Sequence, residues 1–354
     1  MKKLLACVLC MLLGLTVLSG CKPKMAEIAL VTSGGSVDDG TVNQEAWAGI
    51  VKYCEEKGIS CQSFQAAENT KEACMEAVQL AVKRGAMFVV CAGTAFQDVL
   101  PEAAKQAPEV TFLGLDCTLS EGAPANAVGV TFSEVQAGFL AGYAAVQNGW
   151  TKLGFFSGAS DEKAVAYGYG FVQGAQQAAK EKEMPAQSIE IRYQYAADKN
   201  NKPENEALAK EWYQAGTEAI FAVDATVTKA VISAAEEFGK YVIGSDVDWS
   251  GVSQTVAISA VKNYSQTVQE FIDLSYNEEL QGGVTVHCDA SRDGIALTMD
   301  ASKLKLFTRK TYDNLLITLA DDLNGMASAL ISKPAEDKSV AASGIVLEQV
   351  KVIE

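Results

Sequence analysis

The segment "ALVTSGGSVDDGTVNQEAWAGI", Ala29 to Ile50, decides how the rest of the chain is read. Ala29 to Val31 closes a buried apolar strand. Gly34 and Gly35 supply a tight turn. A helix follows from about Asn43, with Trp47, Ile50 and Val51 on one face. A strand, a glycine turn and a helix N-terminus commonly bind an anion, because free backbone N–H groups and the helix dipole point outward there. This turn, however, carries Asp38 and Asp39. Two carboxylates already occupy the positive end, which favours a neutral, hydrogen-bonding ligand over a phosphate.

Outward from this unit the same alternation repeats. Strands are expected at "SCQSFQA", "MFVVCAG", "VTFLGLD" and "AVGVTFS", with helices at Thr70–Arg84, Phe96–Gln106 and Glu134–Gln147. "TKLGFFSGAS" restarts the series. Helices near Tyr167–Lys182 and Val227–Phe238 then alternate with strands "IEIRYQYA", "EAIFAVD" and "YVIGSD", and "QTVAISAVKNY" leads into a helix at Ser265–Tyr276. Near-continuous apolar strands alternating with helices specify an α/β fold whose parallel sheets are covered on both faces. Ligands of such folds bind beyond the carboxyl ends of the strands. The turns there are rich in aspartate: Asp38, Asp39, Asp116, Asp224, Asp246 and Asp248. One such acid is commonly a helix cap; acids recurring at turn after turn point to a polar site.

The N-terminus has the form of a bacterial export signal. Lys2 and Lys3 precede an apolar run, Leu4–Leu18, and "LSGC" ends at Cys21. Small residues before a cysteine look like a lipobox, so residues 1–20 are expected to be removed and Cys21 to carry lipid. The mature body would then be tethered to the outer face of a membrane. The chain has a formal charge of −15, and losing Lys2 and Lys3 makes it more acidic. Such a body repels nucleic acid and anionic lipid. Six cysteines remain after the signal and Cys21, and none forms a C-x-x-C pair. They are read mainly as buried thiols, with Cys54–Cys61 the best candidate for a bridge.

Several chemistries find no support. The one histidine, His287, cannot build a multi-histidine metal centre. There is no G-x-S-x-G elbow and no G-x-x-x-x-G-K-[ST] loop. "SDVDWSG" begins like a calcium loop at Asp246, but its twelfth position is Ala257, where a bidentate Glu is needed. The motif D-T-D-P-G-x-D-D of calcium-dependent nucleoside hydrolases finds only Asp38 and Asp39 in the opening stretch, which leaves that enzyme as a remote alternative. No catalytic residue, metal or cofactor is assigned.

Four segments together carry a resemblance: "DDGTVNQEAWAG", "GVTFSEVQAGFLAGYAA", "YGYGFVQGAQ" and "VIGSDVDWSGVSQTVAISAVKN". In this order and spacing they resemble the basic membrane protein (Bmp) lipoproteins, substrate-binding proteins of ABC importers typified by the purine nucleoside receptor. The resemblance implies a two-lobed type I periplasmic-binding fold, a nucleoside in the interlobe cleft, and ABC permease and ATPase partners. A sugar or sensory receptor on the same fold is the alternative. It also implies roles. Asn43 and Asp116 would read the base edge, Asp246 and Lys262 would hold the ribose hydroxyls, and Tyr167 would stack on the base. The chain departs from the family at Val42, where Phe is usual, at Asp248-Trp249, and at "AVDATVT". Those departures place Asp224 at the cleft edge and leave Trp249 as either a substitute stacking face or packing. Asp39 would stand as site wall. The lobes are expected at 27–148 plus about 258–288, and at 149–257 plus about 289–354, with residues 21–26 a tether and hinges near 145–152, 255–260 and 284–297.

Overall fold

A computed structural model describes residues 26–158, 160–334, 342 and 345–354. The expected signal segment 1–20 and Cys21 lie outside the described residues. Two sheets organise the chain. The first has strand order β11-β5-β4-β3-β1-β2. Its strands are β1 (Ile28–Thr32), β2 (Cys61–Gln65), β3 (Phe88–Ala92), β4 (Thr111–Leu115), β5 (Ala127–Phe132) and β11 (Val284–Cys288), all paired in parallel. The second has order β12-β10-β9-β8-β6-β7-β13. It contains β6 (Lys152–Ser157), β7 (Ile189–Tyr195), β8 (Ala219–Val223), β9 (Tyr241–Asp246), β10 (Val256–Lys262), β12 (Ile295–Leu297) and β13 (Val350–Ile353). Only the short edge strand β12 runs antiparallel, against β10.

The central strands are uniformly buried, as β1, β3 and β8 show along their full lengths. Such strands need cover on both faces. The helices supply it: α1 (Val42–Lys57), α2 (Lys71–Lys83), α3 (Leu100–Gln106), α4 (Glu134–Gln147), α5 (Glu162–Glu181), α6 (Lys202–Gln214), α7 (Ala225–Phe238), α8 (Tyr264–Tyr276) and α9 (Arg309–Ala320). Helix α1 starts where the opening stretch placed it. Thr41 is its cap, with the side chain accepting from Asn43 N, and Gly58 ends it in the left-handed region at φ 70°.

The division into lobes differs from the expected one at two places. Helix α4 does not return to the sheet of the strand before it. It packs on α5, α9, β10 and β12, all of the second sheet. Its interior explains this: residues 136–146 are all buried, and a helix apolar on every side must be enclosed. Gly138 and Gly142 of α4 face Gly170 and Gly174 of α5 closely enough that a Cβ on Gly142 would lie 1.9 Å from Phe171 O, and one on Gly174 2.0 Å from Phe139 O. Conversely, α8 follows a strand of the second sheet but packs on α1 and β4 of the first; a Cβ on Gly49 would meet Ser265 O at 2.5 Å. The chain therefore crosses at Ser133 instead of near 145–152, and at Asn263 instead of 255–260. The strand at 256–262 belongs wholly to the second sheet. The third crossing, between β11 and β12, falls inside the expected 284–297. The crossings lie side by side: Ser133 N donates to Cys288 O (3.2 Å) and Asn263 N to Gly294 O (2.9 Å).

Candidate functional site

Because every central strand runs in parallel, the carboxyl ends of both sheets open on one side of these crossings. There the two lobes enclose a cavity of about 350 Å³. The first lobe contributes Gly40–Val42 at the start of α1, Gly93 and Thr94 after β3, Asp116 after β4, and Tyr264 at the start of α8. The second contributes Ser157 at the end of β6, Asp161, Lys163 and Tyr167 from the start of α5, Asp224 after β8, and Asp246 and Trp249 beyond β9. Three of these acids have left-handed backbones, with φ 57° at Asp116, 81° at Asp224 and 65° at Asp246. Residues with a Cβ avoid that region, at a cost of about 1 kcal/mol each, and such residues gather at functional sites.

Lys262, the last residue of β10, is the centre of the arrangement. Its side chain is 2% exposed, and its Nζ lies 2.8 Å from Glu134 Oε1, 3.1 Å from Asp116 Oδ1 and 3.2 Å from Asp246 Oδ1. Nζ donates a hydrogen bond to Asp116 Oδ1 and pairs by charge with Glu134 and Asp246. Burial alone would drive this amine towards neutrality, but Asp116, Glu134, Tyr264 and Asp246 hold its pKa well above the ordinary lysine value. Asp116 is the reciprocal case. Burial would raise it; the charges of Lys262 and Lys163, with hydrogen bonds from Tyr264 and Lys262, outweigh burial and hold it at about 2. Tyr264 Oη donates to Asp116 Oδ2 at 2.7 Å, and Lys163 Nζ lies 3.1 Å from Asp116 Oδ1. Among the described residues no group of His, Cys, Asp and Glu is arranged to hold a metal ion. The cation among these carboxylates is the protein's own ammonium.

Six residues expected at the site line this one cavity: Asp116, Tyr167, Asp224, Asp246, Trp249 and Lys262. Their roles are narrower than the sequence suggested. Tyr167 is 1% exposed, donates its hydroxyl to Asp246 Oδ1 (2.9 Å) and sets its ring edge-on to Phe221. Trp249 is 3% exposed; its indole N–H donates to Ser245 O (3.0 Å), and it packs against Gly244. Neither ring presents an open face to the cavity. Asp224 caps α7 through Thr226 N and pairs with Lys199 (3.1 Å). Asp246 keeps the most capacity, because its Oδ2 has only the Ser245 hydroxyl near it, at 3.4 Å.

Asp39 and Asn43 are not brought to the cavity wall. Asn43 Nδ2 donates to Asp39 Oδ2 (2.7 Å), and Asp39 Oδ1 accepts from Thr41 N and Oγ1. They tie the turn to the first residues of α1, and Thr41 and Val42 reach the cavity in their place. Asp38 accepts from the Ser36 hydroxyl. Described cysteines after the signal are free thiols, so the Cys54–Cys61 bridge is not formed, although the two thiols are in hydrogen-bond contact. His287 pairs with Thr131 Oγ1 (3.0 Å).

Glu134, Ser157, Asp161, Lys163 and Tyr264 were not singled out in the sequence. Lys163 lies one helical turn before Tyr167 and shares its face, a spacing that could have drawn attention to it. Glu134 could be recognised only once the crossing was placed at Ser133. The hydroxyl of Ser157, 1% exposed, has no hydrogen-bond partner. A more open groove of about 700 Å³ lies beyond Lys262 and Tyr264, between α1 and α8. It is larger, but much of its wall is helix flank such as Glu45 and Gln269, and the strand end it includes is that of β10, at Val261 and Lys262.

The comparisons with known proteins agree with this architecture. A family model described as "ABC transporter substrate-binding protein PnrA-like" matches residues 26–329. The chain is 27% identical over 299 residues to basic membrane protein A2 of Borrelia garinii, covering 83% of this chain and 85% of that one. It is 24% identical over 333 residues to the ABC transporter nucleoside-binding protein BmpA of Lactococcus lactis, covering 84% and 92%. Among solved structures, an ABC transporter solute-binding protein from Conexibacter woesei superposes with a TM-score of 0.71 at 18% identity, covering 87% of this chain and 99% of that one. The fold is the two-lobed type I fold of periplasmic solute-binding proteins, and the chain belongs to the Bmp family of PnrA-like ABC transporter substrate-binding proteins.

Proposed function

We propose that this protein is a lipid-anchored, extracytoplasmic receptor that captures a nucleoside, a purine one by family resemblance, and delivers it to an ABC permease and its ATPase without changing it chemically. The observation that carries this reading is Asp246. It is a cavity-lining carboxylate at a strand end, fixed by Lys262 and Tyr167 through one oxygen, with the Ser245 hydroxyl 3.4 Å from the other. A fixed carboxylate accepts hydrogen bonds from the vicinal hydroxyls of a ribose. Lys262 is surrounded by carboxylates, so its part is to orient Asp246 and Asp116. The unpartnered Ser157 hydroxyl also favours a polar ligand, since a buried polar group left unpaired is costly. The acid-rich wall disfavours a nucleotide's phosphate. The relative from Lactococcus lactis is named for nucleoside binding.

Capture works by population shift. The cavity has walls from both lobes, so a ligand makes its full set of contacts only when they are closed, and it stabilises that state. The three adjacent crossings at Ser133, Asn263 and 289–294 are the hinge in this proposal. The lipobox at Cys21 supports the membrane anchor; among the described residues no helix is long and apolar enough to cross a membrane. A thermal-shift panel of nucleosides, free bases and sugars tests the reading. Purine nucleosides should raise the melting temperature and be recovered intact. A shift with a sugar or peptide and none with any nucleoside would refute it.

A further inference from the structure

The nucleoside reading leaves one part of the cleft unexplained. Two residues expected to read the base edge were Asn43 and Asp116, but the Asn43 amide donates to Asp39 and does not reach the cavity. The polar group beside Asp116 is instead Lys163. It comes from the first turn of α5 in the second lobe and crosses the cleft to the first, with Nζ 3.1 Å from Asp116 Oδ1 and the side chain 34% exposed. An amide both donates and accepts, whereas an ammonium only donates.

Counting lone pairs sharpens the point. A carboxylate offers about four acceptor sites. Asp116 Oδ1 takes Lys163 and Lys262, and Oδ2 takes Tyr264. One site remains on Oδ2. Lys262 is ringed by Asp116, Glu134 and Asp246 and its side chain is 2% exposed, so its charge is directed at the protein's own carboxylates. Lys163 does have hydrogens left, since among the described residues it pairs with the Asp116 carboxylate and, at 3.5 Å, the Asp116 carbonyl. The edge offered to a ligand is therefore one acceptor beside one cationic donor.

We propose that Lys163 is a specificity-determining residue of the cleft, and that with Asp116 it selects a base carrying a ring amide, an N–H next to a C=O. Asp116 accepts from the ring N–H, and Lys163 donates to the carbonyl oxygen. An atom pair lacking that oxygen leaves the ammonium without its ligand partner. This inference rests on the nucleoside reading and extends it to the class of base. It also gives Lys163 a second effect, because its ion pair joins the lobes directly across the cleft.

Inosine and purine riboside differ at this edge: purine riboside lacks the 6-oxo group and the ring N–H. Titration calorimetry of the whole mature protein with both probes tests the proposal. The wild type should prefer inosine by at least roughly tenfold, the scale of discrimination by a site built to hydrogen-bond. Lys163→Met should reduce that preference at least fivefold, and Lys163→Arg, which keeps a cationic donor, should retain most of it. A preference in Lys163→Met within twofold of the wild type's overturns the proposal while leaving the nucleoside reading intact. Failure of the wild type to bind either probe overturns both.

Discussion

Replacing Lys262 by methionine removes the one cation that three carboxylates share and leaves a side chain of similar length. Asp116, Glu134 and Asp246 would then face one another across the space the ammonium held, where contacts of 2.8–3.2 Å now exist. Taking away one partner of a buried ion pair costs about 3–5 kcal/mol, at the lower end here because Asp116 keeps Lys163 at 3.1 Å and the Asp246 side chain is 34% exposed. Total stabilities are about 5–15 kcal/mol, so Lys262→Met should be folded but heavily weakened at pH 7. The pH dependence separates this from simple loss of packing. Without the ammonium, burial and mutual repulsion favour the protonated form of these acids. A raised carboxyl contributes stability below its unfolded pKa and loses it as pH rises through the folded one. The deficit relative to wild type should thus be smallest near pH 4 and grow towards pH 7. Urea unfolding at half-unit pH steps measures it. A deficit below about 1 kcal/mol at pH 7, or one equal at pH 4 and pH 7, would refute the hub.

Gly142→Ala should destabilise although alanine is the better helix former by about 1 kcal/mol. The new Cβ would sit 1.9 Å from the Phe171 carbonyl, and overpacking costs typically about 1–3 kcal/mol, more when backbone must move. A net loss of about 1–2 kcal/mol is expected in chemical denaturation, with Gly251→Ala, where nothing lies within 4 Å, near neutral; equal stability of the two variants would contradict the close helix crossing. Asp116 sets an acid limb. Its carboxyl is held at about 2 against an ordinary 3.8, so its stabilisation is complete above about pH 4 and is lost as pH falls towards 2, to a total of roughly 2 kcal/mol. Asp116→Asn should flatten stability over that range, and parallel acid unfolding curves for wild type and variant would contradict the assignment.

The α/β class and the doubled series were legible because fully buried parallel strands read as continuous apolar runs, and glycine and aspartate punctuate their ends. The start of α1 was legible for the same local reason. The lobe boundaries were not. Sequence order suggests that a helix covers the strand before it, yet α4 and α8 each cross to the other sheet. What sends α4 across is a match of Gly138 and Gly142 to Gly170 and Gly174 on a helix not yet encountered in the chain. Of the candidate site, the cavity-lining Asp116, Asp224, Asp246 and Lys262 were legible because they stand at strand ends. Lys163 was missed because its partner Asp116 lies across the cleft, and Glu134 because its place beside Lys262 depends on α4 crossing to the second sheet. Asn43 was expected to read the base edge from the family resemblance, whereas its amide closes the turn onto Asp39, a contact that the sequence does not display.

The most direct test of the central claim is calorimetric titration of a purine nucleoside into the wild-type protein and into Asp246→Ala. The account predicts saturable one-to-one binding to the wild type, loss of at least roughly a hundredfold in affinity on removing the carboxylate, and retention of a cooperative melt in the variant. Unchanged affinity in a folded Asp246→Ala protein would contradict it.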